Sequence, residues 1–146
     1  MSNVAGPALS SSFLGCTMAK TVLIVEDDPI ARTGLATILK SYGYDTFAAA
    51  NAQEAIEGLR SFSPDLILLD MIMPAGDGWT FFAHRKRQPA LAAAPVVVMT
   101  GLGIGTEEWA LSMGAVAFLP KPIDVDLLLQ VVDRHTDVVG GPARVR

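Results

Sequence analysis

Four short apolar runs in this chain each end at residues whose side chains could do chemistry. The run VLIV is followed by Glu26-Asp27-Asp28, LILL by Asp70, VVVM by Thr100, and AFLP by Lys121. If these runs are parallel strands of one sheet, their carboxyl ends lie along the same edge and bring the four groups together. A carboxylate cluster, a separate aspartate, a hydroxyl and an ammonium suit a site that binds a divalent cation and handles a phosphoryl group.

The charge of such a cluster indicates which ligands it would take. Two like charges about 4 Å apart repel by about 4 kcal/mol at an effective dielectric of about 20. Glu26, Asp27 and Asp70 would therefore persist together only by taking up protons or binding a cation. Carboxylate oxygens favour magnesium (Mg²⁺) over zinc. An aspartate can also attack phosphorus and carry it as an aspartyl phosphate, with Lys121 and Thr100 stabilising the phosphoryl oxygens.

Each of these residues also has an ordinary structural interpretation. Asp28, which precedes a proline, could simply cap a helix. Asp70 could be a polar strand end, Thr100 could satisfy the backbone of a turn, and Lys121-Pro122 could belong to a plain loop. Their joint occurrence at the ends of four apolar runs favours a site over coincidence.

The composition indicates a single folded domain without a nucleic-acid or membrane partner. The chain has 146 residues, of which 51% are apolar and 18% charged, as is typical of a compact domain. The net charge of -4 offers no electrostatic footprint for nucleic acid. No apolar run approaches the roughly 20 residues that a membrane span needs. One cysteine, Cys16, fits a reducing compartment, so we expect a cytoplasmic protein.

Apolar runs alternate with amphipathic stretches from Lys20 onward. The pattern predicts strands at 21–25, 45–49, 66–69, 96–99 and 116–119. It predicts helices that open at Pro29 and close before Gly43, begin behind Asn51, span 79–88, run from a cap at Thr106 to Met113, and start at Asp124. Five strand–helix units in strict alternation specify an α/β domain with a parallel sheet and right-handed crossovers.

The same pattern predicts which helix positions are buried. In the first helix, apolar residues recur at helical spacing: Ala31, Leu35, Ile38, Leu39 and Tyr42. Phe82 and Ala83 are predicted to face inward from the third helix. Asn51 with Glu54 forms the pattern of an N-cap and capping box. Trp109, on the fourth helix, is predicted either to pack inward or to stand exposed as a partner contact.

The segments VLIVEDD, PDLILLDMIMPAGDGW, VVVMTG and GAVAFLPKPI resemble, in order and spacing, the signature segments of bacterial two-component receiver domains. The resemblance covers about residues 20–135. It implies the flavodoxin-like (βα)5 receiver fold, with a five-stranded parallel sheet in the order 2-1-3-4-5. We accordingly expect a receiver domain at residues 18–137, after a non-structural extension at 1–17 and before a tail at 138–146.

The resemblance also implies a role for each residue of the site. Asp70 matches the phosphoacceptor. Asp27 and Asp70 would ligate Mg²⁺, with Glu26 assisting through water and the backbone carbonyl of Ile72 completing the protein ligands. Thr100 and Lys121 would contact the phosphoryl oxygens. Phe118 matches an aromatic switch position whose rotamer accompanies the movement of Thr100, although packing in the core would explain it equally well. The Lys121–Pro122 bond is typically cis in the family.

The function implied by the resemblance is a stand-alone phosphoacceptor switch in a two-component phosphorelay. A sensor histidine kinase or a histidine phosphotransfer protein would donate the phosphoryl group in line to Asp70. The surface of the fourth helix and fifth strand would then bind an output protein. The resemblance leaves open whether the domain forms a homodimer. Such a domain accepts and slowly hydrolyses its acyl phosphate without being an enzyme in the usual sense.

Two other classes of function are weighed against the switch. An aspartyl-phosphate hydrolase usually carries a second acid two residues after its nucleophile, where this chain has Ile72. A phosphate-independent interaction module would not need the complete set of polar residues. Ile72 and Leu102, two residues after Asp70 and Thr100, are both apolar and flank the expected path of attacking water. We therefore predict a long-lived phosphorylated state.

Overall fold

The computed structural model describes residues 19–74, 77–87, 93–101 and 106–136. Within these segments strands and helices alternate. The strands are β1 (Thr21–Val25), β2 (Asp45–Ala49), β3 (Leu66–Asp70), β4 (Val96–Thr100) and β5 (Ala117–Pro120). The helices are α1 (Pro29–Ser41), α2 (Ala52–Gly58), α3 (Asp77–Arg87), α4 (Glu107–Ser112) and α5 (Val125–Thr136). The predicted extension at 1–17, the tail at 138–146 and Leu102 lie outside the described residues.

The five strands form one parallel sheet in the order β2-β1-β3-β4-β5, which confirms the predicted fold class. Strands β3 and β4 are buried at every position. Their unbroken apolar sequences follow from this burial, because a central parallel strand is covered on both faces and has no polar side. β5 begins at Ala117, one residue later than predicted; Val116 is 37% exposed and donates its N–H to the carbonyl of Val96.

Helices cover both faces of the sheet, because successive strand side chains point to opposite sides. Leu23 and Val25 pack in one apolar cluster with residues of α2, α3 and α4. Val22 and Ile24 pack in a second cluster with residues of α1 and α5. None of the helices in the described segments is long and apolar enough to cross a membrane.

Three helices begin at side-chain caps that the sequence predicts. The carboxylate of Asp28 accepts from the N–H of Ile30 at 3.3 Å, so its role as a helix cap is confirmed. Asn51 accepts from the N–H of Glu54 at 2.8 Å, and Thr106 accepts from the N–H of Trp109 at 3.1 Å. The side chain of Glu54 reaches back one residue further than a capping box requires, to the N–H of Ala50 at 2.8 Å.

The prediction that α3 begins at Trp79 is wrong, because the helix starts two residues earlier, at Asp77. Gly78 suggested a loop since glycine disfavours a helix interior. In the structure a Cβ at Gly78 would lie 2.7 Å from the Cα of Met71, the residue after β3. The glycine therefore serves a close approach of the helix to the end of β3. Gln88, the predicted last residue, lies outside the described residues.

Two predicted core positions are also corrected. Tyr42 was expected on the buried face of α1, but it is 62% exposed and forms the C-cap. The chain reverses at Gly43, where φ is +93°, and Tyr44 is the tyrosine that becomes buried, with its hydroxyl 3.3 Å from the carboxylate of Asp133. In α3 the buried pair is Phe81 and Phe82, whereas Ala83 is partly exposed.

Candidate functional site

The carboxyl edge of the sheet brings three carboxylates together. β1 and β3 are neighbours with Val25 opposite Leu69, so Glu26 and Asp70 stand side by side at the strand ends. One ligand oxygen from each of Glu26, Asp27 and Asp70 lies within 4.8 Å of the others. The predicted acidic cluster is therefore present in space, although Asp70 is more than forty positions from Glu26 and Asp27 in sequence.

Lys121 places its ammonium between two of these carboxylates. Its backbone N–H donates to the carbonyl of Thr100 at 2.8 Å, which extends the pairing of β4 with β5 by one residue. Its Nζ lies 2.8 Å from Oε1 of Glu26 and 3.2 Å from Oδ2 of Asp70. The Lys121–Pro122 peptide bond is cis, as the resemblance implies.

Burial makes these charges interact strongly. Glu26 and Asp70 are 1% and 2% exposed, and the side chain of Lys121 is 30% exposed. Burial by itself lowers the pKa of Lys121, but the hydrogen bond that its ammonium donates to Glu26 and the charges of both carboxylates outweigh burial and raise the pKa above its ordinary value of 10.5. The ammonium is therefore charged at neutral pH and offsets part of the repulsion between the two acids.

Asp27 differs from its two partners because it is exposed. It follows the end of β1, and its carbonyl accepts from Nη1 of Arg32 at 3.2 Å. The same nitrogen donates to the carbonyl of Glu26 at 2.8 Å. Sequence reasoning did not identify Arg32; a cation in the first turn of a helix that follows an acidic run was the available signal.

The remaining predicted residues occupy different places around the cluster. The backbone N–H of Ile72 donates to Oδ1 of Asp70 at 3.0 Å. Thr100 is 2% exposed and ends β4, one residue beyond Met99, which stands opposite Asp70. Phe118 is partly buried on the sheet face that α2, α3 and α4 cover, where it packs against that apolar cluster.

The donor set of the cluster suits a hard cation. Its ligand atoms are carboxylate oxygens, and Mg²⁺ binds through one or two carboxylates together with water and phosphate oxygens. The exposure of Asp27 leaves one side of the cluster open to solvent. A hydrated cation can therefore approach the cluster from this side.

Comparison with known proteins identifies the family. The family pattern of the response regulator receiver domain matches residues 22–133. The chain belongs to this family. The receiver domain is 31% identical over 119 residues to the polar-differentiation response regulator DivK of Brucella anthropi, covering 81% of this chain and 97% of DivK. It is 35% identical over 117 residues to a gliding motility regulatory protein of Myxococcus xanthus, covering 79% of this chain.

The two relatives differ in how much of their length the receiver domain spans. The match covers almost the whole of DivK but 15% of the Myxococcus protein. Among solved structures, the receiver domain of sensor histidine kinase PA1611 from Pseudomonas aeruginosa has a TM-score of 0.72 and 25% sequence identity, covering 81% of this chain and 98% of that one. That structure has a magnesium ion coordinated in its active-site cleft.

Proposed function

We propose that this receiver domain of a two-component system accepts a phosphoryl group on Asp70 and signals through protein–protein contacts. The observation that carries the proposal is the Lys121 ammonium held between Glu26 and Asp70 beside the open carboxylate of Asp27. Asp70 has each of its oxygens contacted by a donor, Oδ1 by the N–H of Ile72 and Oδ2 by Lys121. These two donors hold the carboxylate of the proposed nucleophile in one orientation before the phosphoryl group arrives.

The residues that would hold Mg²⁺ are Asp27 and Asp70, with Glu26 acting through water and Ile72 through its backbone carbonyl. When bound, the cation supplies positive charge that offsets both the carboxylates and the incoming phosphoryl oxygens. The magnesium in the PA1611 receiver domain, a structure similar to this one, supports this assignment.

The transfer itself forms one bond and breaks one. A carboxylate oxygen of Asp70 forms a bond to phosphorus while the phosphorus–nitrogen bond of a donor phosphohistidine breaks, and the released imidazole keeps the electron pair and takes up a proton. Lys121 and the hydroxyl of Thr100 donate to the phosphoryl oxygens. The phosphoryl group adds about -1.5 to -2 charges and three strong acceptors, which gives Lys121 and Thr100 new partners.

The proposed donor is a sensor histidine kinase or a histidine phosphotransfer protein that docks beside α1. A groove of about 390 Å³ runs from the site along this helix. Its lining combines Glu26 and Lys121 with apolar residues, among them Ala31, Leu35, Ile38, Pro122 and Ile123. Ile30, in the first turn of α1, is 82% exposed. A groove with an apolar lining that opens beside Glu26 and Lys121 suits a protein donor better than a small free phosphate.

The proposed output surface lies on α4 and β5, and the proposed compartment is the cytoplasm. Leu111 on α4 and Val116, the residue before β5, are 46% and 37% exposed. Thr100 ends the strand before α4, and Phe118 lies on β5, so a change at the phosphoryl group reaches this surface through both elements. The exposed apolar side chains offer contact area to an output protein or to a second copy of the domain.

Acetyl phosphate with Mg²⁺, read by intact mass, tests the proposal. The wild-type protein should gain the mass of one phosphoryl group, and removal of Mg²⁺ with EDTA should prevent the gain. Asp70→Asn should gain nothing, because the amide is a poor nucleophile of the same shape. Lys40→Gln, which removes an exposed charge from the far end of α1, should gain the same mass as wild type.

Two outcomes would contradict the switch. If Asp70→Asn gains the same mass as wild type, another residue is the acceptor. If the wild-type protein consumes many equivalents of acetyl phosphate without accumulating a phosphorylated form, the protein is a hydrolase.

A further inference from the structure

The three carboxylates of the cluster are held to very different degrees. The backbone N–H of Glu26 donates to the carbonyl of Ala49, and its carboxylate accepts hydrogen bonds from Lys121 and from the N–H of Asp28. Asp70 belongs to β3 and has a donor on each oxygen. Asp27 is exposed and lies beyond the end of β1. For Asp27, the hydrogen bond that the structure shows is the one from Arg32 to its carbonyl.

Arg32 links the backbone of Glu26 and Asp27 to helix α1 through hydrogen bonds. A single nitrogen, Nη1, lies 2.8 Å from the carbonyl oxygen of Glu26 and 3.2 Å from that of Asp27. Two consecutive carbonyls that accept from one donor restrain the backbone of Asp27, which lies between them. The helix that carries Arg32 is itself held in place, since Leu35 and Leu39 are 7% and 0% exposed in the apolar cluster beneath it.

From this geometry we infer that Arg32 is a positioning residue that holds Asp27 in the cation site against the repulsion of Glu26 and Asp70. Without a cation, like charges push the exposed carboxylate outward, because it is the member that can move toward water. The hydrogen bond from Arg32 to the Asp27 carbonyl opposes this movement. The inference rests on the proposed function, since it assigns Asp27 to a cation site.

The charge of Arg32 acts in the opposite direction. A guanidinium close to the site repels a divalent cation and would weaken its binding. The two effects predict opposite signs when the residue is replaced: loss of positioning weakens Mg²⁺ binding, whereas loss of charge strengthens it. The sign of the change therefore decides which role Arg32 has.

The test measures the Kd for Mg²⁺ by isothermal titration calorimetry in the absence of any phosphodonor. The amide nitrogen of glutamine is two bonds closer to the backbone than Nη1 of arginine and does not reach both carbonyls. For Arg32→Gln we therefore expect the Kd to rise by about 10-fold or more, the size of effect found when groups that orient metal ligands are lost. Arg32→Lys should recover part of the affinity, because its ammonium can still donate to a carbonyl. Lys40→Gln removes the same charge from an exposed position on α1 and should change the Kd by less than about twofold, because solvent screens that charge.

A second measurement separates positioning from general damage to the fold. The initial rate of phosphorylation by acetyl phosphate is followed as Mg²⁺ is raised. Arg32→Gln should need more Mg²⁺ for half-saturation and reach a saturated rate close to that of wild type.

Tighter Mg²⁺ binding in Arg32→Gln would overturn the inference, because charge would then be the larger effect. An unchanged Kd with a lower urea midpoint would overturn it as well, because the role would then be purely structural. If the wild-type protein itself binds no Mg²⁺, the proposed function fails, and that result is distinct from both.

Discussion

Replacement of Lys121 by methionine measures how much stability depends on one ammonium between two buried carboxylates. The side chain of Lys121 lies 2.8 Å from Glu26 and 3.2 Å from Asp70, and these acids are 1% and 2% exposed. Methionine keeps most of the aliphatic stem and removes the charge. Glu26 and Asp70 are then left side by side without the lysine ammonium between them.

The size of the effect follows from these distances. At an effective dielectric of about 20, the two attractions amount to about 6 and 5 kcal/mol. The desolvation of the ammonium offsets part of this, and water screens the part of the side chain that is exposed, which is 30%. Breaking a buried ion pair by removing one partner typically costs about 3–5 kcal/mol. Because Lys121 is partly exposed, we expect a loss near the lower end, about 3 kcal/mol.

Urea unfolding with EDTA and with excess Mg²⁺ provides the assay. A loss of about 3 kcal/mol lowers the midpoint by about 1–3 M for a slope of about 1–3 kcal/mol/M. Mg²⁺ should narrow the difference, because the cation takes over the neutralisation of the acids. Lys40→Met, an exposed control on α1, should cost less than about 1 kcal/mol. If Lys121→Met is as stable as Lys40→Met in EDTA, the electrostatic reasoning for this site is refuted.

Three further predictions concern pH, packing and the lifetime of the phosphorylated state. The pKa of Lys121 is raised in the folded protein. The stability that its ammonium contributes is therefore present below pH 10.5 and is lost as the pH rises through the folded-state pKa. Denaturant midpoints measured against pH should show this alkaline loss in wild type and not in Lys121→Met. Gly78→Ala should lower the free energy of unfolding by about 1–3 kcal/mol, because the added methyl group overpacks against Met71. Gly34→Ala, where a Cβ meets nothing within 4 Å, should raise it by about 0.5–1 kcal/mol through better helix propensity. Equal thermal shifts for the two variants would contradict the packing argument. Ile72→Asn should shorten the lifetime of the phosphorylated protein severalfold, because the amide can hydrogen-bond the attacking water. The lifetime is measured as the loss of phosphoryl mass over time in magnesium buffer. A wild-type phosphorylated form that decays within seconds would contradict the prediction of a long-lived state.

The assembly of the site could be predicted from sequence because it depends on strand direction alone. Once VLIV and LILL are taken as parallel neighbours, Glu26 and Asp70 must meet at the carboxyl edge, whatever the details of packing. Asp28, Asn51 and Thr106 could be predicted as caps because the side-chain oxygen acts within two or three residues of its own position.

The features that sequence reasoning missed depend on contacts between distant elements. α3 includes Gly78 because the helix closely approaches Met71, and helix propensity contains no information about that neighbour. Tyr44 rather than Tyr42 is buried because the chain reverses at Gly43 and meets Asp133, which is eighty-nine positions away. Arg32 contacts two carbonyls through a long side chain that folds back over the first turn, and no residue spacing reveals that geometry.

Chemical trapping tests most directly the proposal that Asp70 accepts a phosphoryl group. Protein phosphorylated with acetyl phosphate and Mg²⁺ is reduced with borohydride, which converts an aspartyl phosphate to homoserine, and the modified position is found by peptide mass spectrometry. We expect homoserine at position 70 alone. Homoserine at position 27, or phosphorylated protein with position 70 unchanged, would contradict the assignment of Asp70 as the phosphoacceptor.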